Sequence, residues 1–311
     1  MNILLLISGL ILLIKSADIF VDGSSNIAKV FGLSPLVIWL TIVSLGTSAP
    51  EAAINITSSI KGINDISLGN VLGSNICNIL LVLGFGSLFG NIHSKKETIK
   101  RDFPVVIYSS LLLLIPSVYF LSRSEAEISR VMGIVFLISL LAYLYLLLSS
   151  TKHQKEEEKE KIKFNIKYVI FVILGIIGII IGGDVVVNAS VNLATNLGIS
   201  EGVIALSMIA LGTSLPELAT TVVAIKKKEP DIAIGNIIGS NILNILFILG
   251  LSSTINPIKF GIDSLFDIII VLISTIYIYI VFLKKKKLTM NNGIFMLLMY
   301  FTYILYIFFR W

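Results

Sequence analysis

"LGTSAPEAAINIT", residues 45–57, interrupts an apolar stretch with a proline beside a glutamate, the two residues a membrane helix tolerates least. A near copy, "LGTSLPE", stands at 211–217. A second cassette follows each: "GNVLGSNICNIL" at 69–80 and "GNIIGSNILNIL" at 235–246. Both pairs are separated by 166 residues, and residues 41–90 laid without gaps on 207–256 give 22 identities in 50 positions. The same offset pairs Asp18 with Asp184 and Gly32 with Gly198. The two halves of the chain are copies.

The composition says what solvent they face. Of 311 residues 56% are hydrophobic and 14% charged, with a mean hydropathy of +0.95; soluble domains carry about a quarter charged residues. Hydropathy with Gly, Pro and charge clusters as breaks predicts ten spans, at 3–29, 34–60, 66–90, 104–122, 126–149, 165–193, 201–226, 231–254, 263–283 and 290–309. The first run, Ile3 to Ile14, lacks a basic flank and a cleavage site, which predicts a retained helix and not a signal peptide. The single cysteine, Cys77, forms no internal disulfide.

One strongly polar segment, "TKHQKEEEKEKIK" at 151–163, separates five spans from five. The expected organisation is a first five-helix repeat (1–150), a charged linker (151–164) and a second repeat (165–311). An odd number of spans per copy makes the second copy enter from the opposite side, giving two inverted five-helix repeats with a site near the midplane where they meet. Alternating the loops puts 18 Lys and Arg on one side and five on the other, with Lys15 inside a span. The positive-inside rule then predicts both termini outside a plasma membrane and the linker in the cytoplasm. Membrane topology accounts for the net charge of +5 without nucleic acid as a partner.

Proline removes an amide donor and distorts the turn before it. Pro50 and Pro216 are therefore helix breaks, predicted to free carbonyls about one turn back, at Ser44 and Thr47 and at Ala210 and Thr213. Such backbone survives in lipid only where it lines a cavity or binds something. Glu51 and Glu217 occupy the same place in each copy, and a mid-membrane carboxylate points to a functional site. Two converging carboxylates repel unless a cation or protons compensate them. With the hydroxyls of Thr47, Ser48, Thr213 and Ser214 they form an all-oxygen shell of the kind hard cations prefer.

In the second cassette Ser74 and Asn78, and Ser240 and Asn244, are i and i+4 and share a helix face. Asn70 and Asn236 begin that face, Asn75 and Asn241 read as interhelical glue, and Gly69, Gly73, Gly235 and Gly239 as close-approach positions. Asp18, Asp22 and Asp184 read as salt-bridge or gating residues, with Lys15 as the partner of Asp18 or Asp22. The linker acids Glu156 to Glu158 and Glu160 read as a solvated run.

"GTSxPE" twice and "GNxxGSNxxN" twice, in ten spans, resemble the calcium/cation antiporter superfamily, close to prokaryotic sodium/calcium exchangers, over essentially the whole chain. The resemblance implies electrogenic exchange of Ca²⁺ against Na⁺ by alternating access, with the first span of each half sliding across an eight-helix core. It implies Ca²⁺ on Glu51 and Glu217 with the carbonyls of Thr47 and Thr213. It places Na⁺ at the Ser44 and Ala210 carbonyls and at Ser48, Ser214, Ser74 and Ser240. The ions are cargo; no cofactor is implied, and a monomer in the bilayer is sufficient for transport.

Many such exchangers have an aspartate where this chain has Asn244. Two carboxylates neutralise one Ca²⁺ but leave three Na⁺ one charge in excess, so Ca²⁺/H⁺ exchange stands as the alternative, with Asn78 and Asn244 at the monovalent sites. Remoter alternatives are an ion channel, which a snug neutralised shell opposes, and an intramembrane protease built on Asp18 and Asp184.

Overall fold

In hydrocarbon the α-helix alone satisfies every backbone N–H and C=O within one segment, so uninterrupted Leu, Ile and Val runs fold as long helices. The computed structural model describes residues 2–30, 38–62, 64–117, 126–151, 163–196 and 212–310. Its helices begin with α1 (Asn2–Val30), α2 (Ser44–Thr47), α3 (Ala49–Lys61), α4 (Asn64–Ile76), α5 (Leu83–Gly86), α6 (Phe103–Leu112) and α7 (Leu114–Ser117). They continue with α8 (Arg130–Thr151), α9 (Ile166–Asn196), α10 (Leu215–Lys226), α11 (Pro230–Leu243), α12 (Gly250–Ile255), α13 (Ile262–Lys285) and α14 (Met290–Arg310).

Among the described residues seven helical segments are long and apolar enough to cross a membrane: Asn2–Val30, Ser67–Gly86, Arg130–Ser149, Ile166–Ala189, Pro230–Ile255, Ile262–Lys285 and Met290–Phe309. They correspond to seven of the ten expected spans. Expected span 34–60 is broken at Ser48 into α2 and α3. Spans 104–122 and 201–226 run into residues outside the description, as does 152–162 of the linker. The span expected from 126 starts later, at Arg130, because Ala126–Ile128 is a strand.

Burial sorts the helices. The Pro230–Ile255 segment is 94% buried and Ser67–Gly86 78%, whereas Arg130–Ser149 is only 28% buried. The segments carrying the second cassettes are thus the centre of the bundle, and the purely apolar helices face outward. α1 and α9 pack against each other along their length; a Cβ on Gly175 would strike the backbone of Phe20, and one on Gly182 that of Leu13.

Two short antiparallel pairings tie the copies together. β1 (Ile92–His93) pairs with β4 (Lys287–Leu288), and β2 (Ala126–Ile128) with β3 (Ile258–Phe260). Each joins a loop of one copy to a loop of the other.

The glycine expectation holds unevenly. A Cβ on Gly239 would collide with the Ser44 hydroxyl and the Leu40 backbone, but one on Gly69 would meet nothing within 4 Å. Gly69 is therefore not a close-approach position. Gly239→Ala should lower the stability of the detergent-solubilised protein by about 1–3 kcal/mol, the usual penalty for overpacking. Gly69→Ala should leave it unchanged or raise it by about 0.5–1 kcal/mol. Thermal unfolding followed by size-exclusion chromatography separates the two outcomes.

Candidate functional site

Each first cassette folds as two half-helices. α2 ends at Thr47, Ser48 takes φ −84° and ψ 11°, and α3 restarts with Pro50 in its first turn. In the other copy Ser214 has φ −89° and ψ 0°, and α10 restarts with Pro216 in the same place. Proline suits that position because its missing N–H has no helical partner to serve and its φ is already helical. The break thus falls two residues before each proline. It leaves Glu51 and Glu217 in the first turn of their half-helices, where the helix dipole favours negative charge.

Both glutamates are 0% exposed and close enough to act on one another through space. Their surroundings differ. Glu217 Oε1 accepts hydrogen bonds from Ser48 Oγ and Ser240 Oγ, each at 3.2 Å. Both carboxylate oxygens of Glu51, and Oε2 of Glu217, accept no hydrogen bond of good geometry, although the Thr213 and Ser74 hydroxyls lie beside Glu51. Ser214 Oγ, the copy of Ser48, is also without such a bond. Ser74, the copy of Ser240, turns to the Thr213 hydroxyl at 3.2 Å.

The threonines are held across the copies. Thr47 Oγ1 donates to Asn236 Oδ1 at 3.0 Å, and Thr213 Oγ1 to Asn70 Oδ1 at 3.5 Å. The expectation that the break frees the Ser44 carbonyl is corrected: it accepts the Ser48 N–H at 2.9 Å and the Thr47 hydroxyl at 3.3 Å. The donor that Pro50 removes is the one a regular helix would direct at Gly46. The Ser44 hydroxyl donates to the Trp39 carbonyl at 2.5 Å and lies 3.3 and 3.1 Å from the carbonyls of Gly235 and Asn236. Ala210 lies outside the described residues.

The second cassettes meet in a quartet of asparagines. Asn75 Nδ2 donates to the Asn241 carbonyl and Asn241 Nδ2 to the Asn75 carbonyl, both at 3.3 Å. Asn241 Oδ1 accepts from Asn78 Nδ2 at 3.1 Å, and Asn75 Oδ1 from Asn244 Nδ2 at 2.9 Å. The glue reading of Asn75 and Asn241 therefore holds and is extended. By engaging the NH₂ groups of Asn78 and Asn244, they leave those two amide oxygens buried without a partner.

One feature of the site has no sequence signature. Just at the cassette asparagines the helices widen to π geometry, over Cys77–Val82 and Asn244–Leu249, and again over Trp39–Val43 ahead of Ser44. π turns are frequent at functional sites, although another, Thr98–Asp102, lies outside this one. The unpartnered carboxylate, amide and hydroxyl atoms of Glu51, Glu217, Asn78, Asn244 and Ser214 are oxygens, the donors that hard cations prefer.

The outlying acids are placed differently from expectation. Asp18 and Asp22 pair with Lys227, at 2.8 and 2.6 Å, and not with Lys15; a lysine in a turn reaches them, whereas Lys15 points away into an exposed position. Asp184 Oδ2 accepts from Asn188 Nδ2 at 3.0 Å. Asp18 and Asp184 thus have separate partners, which removes the shared-proton geometry of a protease dyad.

A bundle of apolar helices with two buried glutamates and unpartnered oxygens at paired helix breaks defines a membrane cation transporter. A family profile described as sodium/calcium exchanger protein matches residues 1–149 and 167–309, and the chain belongs to that family of multi-pass cation antiporters. It is 32% identical to the sodium/calcium exchanger MaX1 of Methanosarcina acetivorans over 99% of both chains. It is 37% identical to the putative antiporter CaxA of Alkalimonas amylolytica, over 80% of this chain and 79% of that one. Among solved structures it is similar to the sodium-calcium exchanger NCX_Mj, with a TM-score of 0.83 and 31% identity over 97% of each chain.

Asn241→Ala strands the Asn78 amide and the Asn75 carbonyl at once. Each buried group left unpaired costs about 1–3 kcal/mol, so the apparent melting temperature should fall, whereas substitution of exposed Asn291 should leave it in place. Equal melting of both variants would contradict the quartet.

Proposed function

We propose that the protein exchanges Ca²⁺ for Na⁺ across the plasma membrane by alternating access. The fold behind it is ten spans in two inverted five-helix repeats, with the linker cytoplasmic and both termini outside. The observation that carries the cation site is the set of buried oxygens without a partner: Glu51 Oε1 and Oε2, Glu217 Oε2, Asn78 Oδ1 and Asn244 Oδ1. Leaving so many acceptors unsatisfied in a membrane interior is expensive, and a divalent cation compensates both the charge and the lone pairs. Glu51 and Glu217 neutralise Ca²⁺, with the Thr47 and Thr213 carbonyls beside them. Ser48, Ser74, Asn78, Ala210, Ser214, Ser240 and Asn244 serve the monovalent ions, whereas the Ser44 carbonyl, already taken by the Ser48 N–H, does not.

The strand pairings support inversion. The connection after the third span of copy one meets the connection before the last span of copy two, through β1 and β4. The reciprocal connections meet through β2 and β3. One chain supplies both halves of the site, so a monomer is sufficient.

The quartet supports a second reading of the counter-ion. Asn244 acts as a donor to Asn75 Oδ1, a role that an ionised aspartate cannot fill, so this chain is built around two negative charges. Two protons balance one Ca²⁺ on two carboxylates, and Ca²⁺/H⁺ exchange is the alternative.

Calcium uptake into proteoliposomes, driven in turn by a Na⁺ gradient and a pH gradient, decides between them: the Na⁺ gradient should drive it. Glu51→Gln and Glu217→Gln should each weaken calcium handling about a hundredfold, as loss of one buried charge worth about 3 kcal/mol implies, while the protein still inserts. Near-normal uptake in either variant would sink the site. Asn244→Asp should steepen the dependence on Na⁺ and also lower the melting temperature, because its carboxylate faces Asn75 Oδ1; an unchanged Na⁺ profile counts against the assignment.

A further inference from the structure

Under the 166-residue offset Lys61 is the copy of Lys227, Asp184 of Asp18, and Asn188 of Asp22. The two sets are arranged differently. Lys227 Nζ lies 2.8 Å from Asp18 Oδ1 and 2.6 Å from Asp22 Oδ1, and donates to the Asp18 carbonyl at 3.1 Å. α1 packs along α10, the half-helix that Lys227 terminates. At the other set Lys61 and Asp184 are exposed and, among the described residues, no ion pair joins them. α9 makes at most marginal contact with α3, although this pair is the copy of α1 and α10.

The backbones carrying the two lysines end alike. The residue after each is left-handed, Gly62 with φ 75° and Lys228 with φ 61°, and equivalent bonds close the turn, Gly62 N–H to the Ser59 carbonyl and Lys228 N–H to the Ile225 carbonyl. The lysines are therefore presented by equivalent, rigid helix ends, and only the approach of the facing long helix differs.

We propose that Lys227 and Lys61 form an alternating latch: Lys227 holds α1 through Asp18 and Asp22 while one end of the cation site is shut, and Lys61 takes hold of Asp184 and Asn188 on α9 when the other end shuts. The inference rests on the antiport reading above. Two copies with the same motifs at the same offsets give a second arrangement, with their roles exchanged, and the equilibrium between such states responds to small differences in contact. α1 and α9 pack as a unit, so the motion that frees α1 from Lys227 carries α9 toward Lys61. The two sets are not equal in strength. Lys227 meets two carboxylates, whereas Lys61 would meet one carboxylate and one amide, so the Lys227-closed state is the resting one.

The latch is not a proton switch at Lys227. Partial burial favours its neutral amine, but hydrogen bonds and charge from Asp18 and Asp22 outweigh burial and hold its pKa above the ordinary lysine value.

Cysteine pairs test each end in the full-length protein, because the native Cys77 is buried and a water-borne reagent reaches only the introduced thiols. In proteoliposomes a short bifunctional thiol reagent should cross-link Asp18→Cys with Lys227→Cys, and separately Lys61→Cys with Asp184→Cys, and either link should stop calcium exchange. Adding Lys227→Gln to the Lys61/Asp184 pair should raise its cross-linking rate about threefold, the population shift that one partly exposed ion pair supports. The charge swap Lys227→Asp with Asp22→Lys should return the rate to its original value, which a merely structural role of Lys227 would not do. A Lys61/Asp184 pair that never cross-links in membranes that exchange calcium would overturn the latch, as would a rate that Lys227→Gln leaves unchanged. Cross-linking needs no calcium, so absence of calcium exchange in the unmodified protein would remove the antiport reading while the linking rates still decide the latch.

Discussion

A gap in a helix has to be closed from inside the protein when the surrounding solvent is hydrocarbon, and the rest of the bundle is arranged around two such gaps, at Ser48 and Ser214. Each gap starts a new half-helix, with Pro50 or Pro216 in its first turn, and so creates a helix N-terminus inside the protein. That N-terminus is where a carboxylate is best tolerated, and Glu51 and Glu217 occupy it. The hydroxyls beside the gaps then face the opposite copy, as Ser48 does towards Glu217. Close approach of the central helices follows, because hydroxyls of such short reach serve only if Gly239 lets the Ser44 turn lie against α11.

Much of this was legible in the sequence because duplication doubles every signal. A lone "GTSAPE" supports a kink; the same cassette 166 residues later supports a site. The pairing of Ser74 with Asn78 on one face also follows from helical spacing. What was not legible depends on the facing helix. The π turns at Asn78 and Asn244 arise where two central helices meet, and no local propensity marks them. Which atom of each asparagine points to the site is set by Asn75 and Asn241, whose partners are in the other copy. The Ser44 carbonyl is occupied because Ser48 keeps its helical bond even as the helix breaks. Lys15 was the natural partner for Asp18 by proximity along the chain, yet the ammonium that arrives comes from 209 residues away.

The four asparagines also decide the electrostatics of the core. Their amides join the copies without adding charge, so the two glutamates alone set the formal balance there. An acid in place of Asn244 would add a third charge and remove a donor in one step. Local hydrogen bonding and the charge offered to ions are thus one variable in this bundle.

The reciprocal bonds between Asn75 and Asn241 have a consequence for how the protein is made. Translation runs at about 5–20 residues per second, so the Asn75 amide and carbonyl enter the bilayer roughly ten to thirty seconds before their counterparts 166 residues later are synthesised. Until then the first half carries asparagines, a glutamate and unpaired strands β1 and β2 that only the unmade half can satisfy. The nascent first half is therefore a client for whatever shields polar groups beside the insertion machinery, and slowing the ribosome between the copies lengthens that exposure.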